Sequence, residues 1–162
     1  MDNRAYFALL TATAGLLASC QTLGVEDGLG QAFPSPEAAG QSLVAALRSN
    51  DQETAARILG PGSDAVMSSG DPVMDKNQLD RFVALYERKN TWIAWSEGVA
   101  VLEIGDDNWP FPIPLVNREN GWFDGKPDWR FDTPEGLEEI LNRRIGKNEL
   151  STIQACLAFV DA

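Results

Sequence analysis

The sequence predicts an α+β domain: N-terminal helices, an antiparallel β-meander of about four strands, then two C-terminal helices. Three observations carry that expectation. Helix-start chemistry recurs at Ser35-Pro36-Glu37, Asp71-Pro72 and Thr133-Pro134-Glu135, each pairing a capping side chain with a proline suited to the first turn. From Trp92 the apolar period shortens from helical to strand-like. Within that region Trp109–Val116 reads W-P-F-P-I-P-L-V, a strand whose alternate residues are proline.

The helices follow in order. After Ser35, the residues Ala39, Leu43, Ala46 and Leu47 recur at helical spacing and define a core face. Asn50-Asp51 ends that helix and caps a second one carrying Ala55, Ile58 and Leu59, which Gly60-Pro61-Gly62 terminates. A loop containing Ser68, Ser69 and Gly70 leads to a third helix, striped with Leu79, Phe82, Val83 and Tyr86. Arg88 and Lys89 close it at the negative end of its dipole.

Thr91–Ser96 and Val99–Ile104 are β-rich runs joined across Glu97-Gly98, a tight hairpin. Asp106-Asp107-Asn108 makes the next turn. In the proline strand Phe111, Ile113 and Leu115 share one face, and Pro110, Pro112 and Pro114 the other. The missing N–H groups therefore align along one edge, which marks an edge strand with its apolar face in the core. Asn120-Gly121 signals a hairpin, and the returning strand holds Trp122 and Trp129-Arg130-Phe131. All five tryptophans fall between Trp92 and Trp129, chiefly as core against helices and otherwise as a ligand platform.

Beyond Thr133, the residues Leu137, Ile140, Leu141 and Ile145 form one face, and Gly146 reads as the residue just past the helix end. A last helix from about Asn148 carries Leu150, Ile153, Leu157 and Val160 in register, expected to dock on the rest of the domain. Cys156, beside them, is expected to be buried. Phe159 lies off that face and is expected to be exposed.

Composition narrows the function. The formal net charge of −11 argues against nucleic-acid binding and against charge-driven adsorption to anionic membranes. There is no histidine, so Ser-His-Asp and Cys-His catalysis are excluded. Two cysteines cannot build a thiolate zinc site. Asp106-Asp107-Asn108 and Asp124/Asp128 offer oxygen ligands without the spacing of a calcium loop, so no metal and no cofactor is expected. Glu138 and Glu139 are adjacent and diverge on a helix, so they cannot act as a catalytic pair by themselves.

The N-terminus sets a location. Ala5–Leu17 is an apolar run of signal-peptide length, and Leu17-Ala18-Ser19-Cys20 resembles the lipobox of bacterial lipoproteins. The resemblance implies removal of residues 1–19, lipidation of Cys20 and a chain anchored facing the periplasm. Gln21, where an aspartate would resemble an inner-membrane retention signal, favours the outer membrane. Residues 20–34 are the lipidated N-terminus and a glycine-rich tether, and 35–162 a single domain.

The proline strand, the downstream G-W and R-F-D-T, the run R-R-I-G-K-N-E-L-S-T-I-Q-A-C and S-S-G-D-P-V together resemble a bacterial family of secreted proteins of unknown function. The likeness covers about residues 35 to 162, with a loop lengthened at Phe123–Asp128. It implies a family that continues for a second half beyond that span. The order of elements is loosely similar to the rolls of cystatins and nuclear-transport-factor cones. The expected function is a non-catalytic envelope lipoprotein that binds or interacts, with the membrane as one partner through its lipid. A protein partner or a second copy is expected at the C-terminal helix. Trp109, Trp122, Trp129, Arg143 and Arg144 are the candidate binding surface. The alternative is a small carboxylate-dependent hydrolase with a pocket on the sheet.

Overall fold

The computed structural model describes residues 28–118 and 127–160. Helix α1 (Pro36–Arg48) starts where the Ala38 N–H donates to the Ser35 hydroxyl at 3.2 Å, and it buries Ala39, Leu43, Val44 and Ala46. Helix α2 (Gln52–Leu59) is capped by Asp51, which accepts from the Thr54 N–H at 3.0 Å and is held below the usual carboxylate range by that bond. A short helix, α3 (Ser63–Met67), follows; its five residues are too few to show a period. Helix α4 (Pro72–Arg88) is capped by Asp71 and buries only Tyr86. It lies against α1 at Gly40, where a Cβ would stand 2.9 Å from the Tyr86 hydroxyl and 3.0 Å from the Trp92 ring.

The sheet is antiparallel throughout, with five strands: β1 (Asn90–Ser96), β2 (Val99–Ile104), β3 (Trp109–Pro110), β4 (Leu115–Asn117) and β5 (Trp129–Phe131). Its order is β1-β2-β4-β5, with β3 paired to the far end of β2. Gly98, at φ +70°, turns β1 into β2 as the Glu97-Gly98 signal requires. The Asn120-Gly121 hairpin and Trp122 lie outside the described residues, although the strands flanking them pair.

The proline stretch does two things at once. Pro110 pairs with Glu103, and the Phe111 N–H donates to the Leu102 carbonyl at 2.7 Å. Leu115 then pairs with Ala100. Pro112, Ile113 and Pro114 thus stand opposite Val101 alone, a bulge of two extra residues. Because two is even, Phe111 and Leu115 keep the same face across it. The prolines turn their donor-less side away from β2. There their carbonyls are used instead: Pro114 accepts from the Asp132 N–H at 3.0 Å and Pro110 from the Arg143 guanidinium at 2.8 Å. The sheet-edge expectation describes β3. It does not describe β4, an inner strand between β2 and β5.

Ile113, Leu115 and Phe131 are fully buried in one cluster with Leu43, Ile58 and Leu59, while Leu102 and Ile104 pack with Val44 and Tyr86 in a second. The folded part begins ahead of Ser35: Phe33 is buried and exchanges backbone hydrogen bonds of 2.8 and 2.9 Å with Trp129. Residues 30–33 therefore belong to the sheet's far margin and not to a tether.

The C-terminal expectation needs correction. One helix, α5 (Thr133–Val160), replaces the two foreseen, and it passes straight through Gly146. Its first turns are fastened: the buried Thr133 hydroxyl donates to the Leu59 carbonyl at 2.7 Å, and Gly136 rides directly on Ile113. A mid-helix glycine costs only about 1 kcal/mol against alanine, too little to break a helix that nothing else interrupts. Ser151 and Thr152 donate to the carbonyls four residues back, so their hydroxyls are satisfied within the helix. Arg143 holds Pro110, and the helix runs 17 residues past it, about 26 Å. Leu150, Ile153, Leu157 and Val160 are consequently exposed and do not dock, and Cys156 is exposed instead of buried.

Candidate interaction surface

Trp109 sits at the end of β3 and is 45% exposed. Its ring meets Phe111 edge-on at 6.5 Å, and Phe111 in turn contacts Phe82 at 5.0 Å and Phe131 at 6.5 Å. A chain of rings thus runs from the surface into the core and fixes the indole in place. The Arg143 guanidinium lies over that indole at 5.5 Å. Arg143 is held twice more, by Glu139 at 2.7 Å and by the Pro110 carbonyl. The two residues form a rigid aromatic and cationic corner where α5 leaves the sheet.

Of the other expected surface residues, Trp129 is far from this corner. It pairs with Asn117 and lines the core beside Phe33, at the opposite end of β2, roughly 20 Å away at strand rise. Trp122 lies outside the described residues, as does Cys20. Arg144 is exposed on α5, one residue from Arg143, and points elsewhere around the helix. The structure therefore joins Trp109 with Arg143 and leaves Trp129 apart.

What sequence reasoning missed is the continuation of that corner. Arg143, Leu150 and Leu157 are spaced by seven residues, and Gly146, Ile153 and Val160 fill the intervening positions at the same repeat. A seven-residue repeat keeps them on one side of the helix. The stripe begins at Trp109 and Arg143 and continues along α5 to its end. Leu150, Ile153, Leu157 and Val160 are between 55% and 80% exposed, and Phe159, on another side, reaches 86%. The 3-4-3 spacing of the four residues was visible from the start. Their lack of a partner element was not.

Asp106 and Asp128, from the two acidic turns, are paired within the fold. Asp106 pairs with Arg88 at 3.1 Å, and Asn108 accepts from Lys89 at 2.6 Å, so this turn is tied to the end of α4 by cations. Asp128 grips Arg130 with both oxygens, at 2.8 and 3.2 Å. Among the described residues the buried polar side chains are Ser63 and Thr133, and no cluster of ligand side chains could hold a metal ion. The concavities along α5 are open grooves formed by that helix alone, around Cys156 and around Ile153. The arrangement offers an aromatic ring, a fixed cation and an uncharged apolar stripe, which is chemistry for adhesion.

A family model described as a protein of unknown function (DUF2950) matches residues 30–162. No curated protein and no solved structure matches the chain.

Proposed function

The chain belongs to the DUF2950 family of proteins of unknown function, and we propose that this domain is a non-catalytic interaction module of the cell envelope, anchored by a lipid on Cys20. One observation carries the interaction half of the reading. Leu150–Val160 is eleven consecutive residues without a charge, in helix, and its large apolar side chains are bare. A protruding helix end of this length is marginal in water without something to pack on. Exposed apolar surface of this kind marks an interface. The rigid Trp109–Arg143 corner extends the same surface with a ring and a cation, the residue types enriched where binding energy concentrates.

The anchor rests on the lipobox-like Leu17-Ala18-Ser19-Cys20 after an apolar run. Asp106 and Asp128 are held by Arg88 and Arg130, and no observation favours hydrolysis. The test of the interaction is photocrosslinking in intact envelopes, with a photoreactive residue at Ile153 and, as control, at Lys76 on the polar side of α4. An adduct at position 153 and none at 76 is expected. Absence of any adduct at 153 would sink the reading. Fatty-acid labelling that persists in Cys20→Ser would sink the anchor.

A further inference from the structure

From this stripe we infer that α5 pairs with α5 of a second copy of this chain, antiparallel, with Gly146 of each copy receiving Leu157 of the other. The inference rests on the reading of α5 as the interaction surface and adds the identity of the occupant.

Four observations lead to a second copy. First, the positions Arg143, Gly146, Leu150, Ile153, Leu157 and Val160 alternate by three and four residues, the repeat of a helix-pairing seam. Second, that seam is self-complementary in one antiparallel register, with the twofold axis between Ser151 and Thr152. Leu150 then faces Ile153, Leu157 faces Gly146, and Val160 faces Arg143. Leu157 meets the smallest residue of the seam, and Leu150 and Ile153 pack apolar side chain on apolar side chain. A Cβ on Gly146 would have nothing within 4 Å, so the space that a leucine would enter is open.

Third, charge favours this register. Arg143, Arg144 and Lys147 form the cationic turn of α5, and pairing sets it against the uncharged Cys156–Val160 of the other helix, so no two cations meet. Two chains of net charge −11 repel each other over most of their surface. Leu150–Val160 is the longest uncharged run among the described residues, so copies that meet there bring no like charges together.

Fourth, the area suits such a partner. Four seam side chains from each copy, at roughly 60–120 Å² apiece, bury about 500–1,000 Å² in all. That is the size of weak, transient interfaces, so the dimer is concentration-dependent. Anchoring both copies to one membrane would raise their effective concentration and favour pairing there.

The test is sedimentation equilibrium on residues 20–162 with Cys20→Ser, so that no acyl chain contributes. Wild type should show a reversible monomer–dimer equilibrium. Leu157→Glu enters twice through the twofold and should raise the dissociation constant about a hundredfold, tenfold per lost contact. Gly146→Leu should raise it comparably while increasing the helix content of the monomer, because only the pocket for Leu157 is filled. Phe159→Ser, off the seam, should leave it unchanged. A strict monomer at millimolar concentration would overturn the proposal, and so would a dimer indifferent to Leu157→Glu or strengthened by Gly146→Leu. A monomer that still crosslinks to another protein at position 153 would overturn the second copy and leave the interaction module standing.

Discussion

The same substitution at two glycines of one helix should act with opposite sign. Gly136 and Gly146 both lie inside α5. Replacing a mid-helix glycine with alanine gains about 1 kcal/mol of helix propensity wherever the methyl group has room. At Gly146 a Cβ meets nothing within 4 Å, so the gain is available in full. At Gly136 the Cβ would stand 2.6 Å from Ile113 Cγ1 and 2.9 Å from its Cα. The second contact is backbone, and Ile113 is fully buried inside the proline bulge, so it has no free direction to move. Overpacking of that kind costs about 1–3 kcal/mol. The net for Gly136→Ala is then a loss of about 0–2 kcal/mol, against a gain approaching 1 kcal/mol at Gly146. Both variants should be made on Leu157→Glu, so that association plays no part. Urea unfolding followed by tryptophan emission reads the first. Because the free half of α5 frays independently, the second appears mainly as helix dichroism and slower amide exchange in that half. A Gly136→Ala protein more stable than its parent, or a Gly146→Ala protein less helical than its parent, would refute the packing argument.

Further outcomes are expected. Ile113→Ala should cost about 2–5 kcal/mol in urea unfolding, whereas Ile93→Ala on the sheet's open face should cost well under half of that. Burial, with a smaller push from Glu37, raises the Tyr86 phenol above its ordinary value of 10.0. The unfolded chain then releases that proton first as pH rises. Stability is therefore whole below pH 10 and is lost between there and the folded value, which Tyr86→Phe should abolish in alkaline unfolding curves. Asp51 and Asp75 are both held below 3.8, by bonds from Thr54 and Ser69 respectively. Their contributions are present above about pH 4 and vanish as pH falls through the depressed values, so Asp75→Asn should flatten part of the acid limb. Cys156 should react with a maleimide in the native state nearly as fast as in urea, and protection of that thiol would contradict an exposed α5.

The helix starts and strand turns were legible because they are local. A capping oxygen three residues before its N–H, as at Ser35, Asp51 and Asp71, depends on nothing beyond its own turn. Glu97-Gly98 likewise makes its hairpin from a single left-handed glycine. Alternation alone placed Ile113 and Leu115 in the core and turned the prolines' bare edge away from β2. What alternation cannot contain is the two-residue bulge, which arises because β2 must pair with both ends of the proline stretch while Ile113 fits beneath Gly136. The joining of Trp109 to Arg143 was hidden for the same reason: the two are 34 residues apart in sequence and meet only where α5 crosses the end of β3. Gly146 is the sharpest case. Its sequence signature is equally good for a helix end and for a tolerated interior glycine. The difference between them, about 1 kcal/mol, is smaller than what a docking site for Leu150, Ile153 and Leu157 would have contributed. In the described domain these side chains do not dock, so the helix continues through Gly146 and its apolar stripe faces outward.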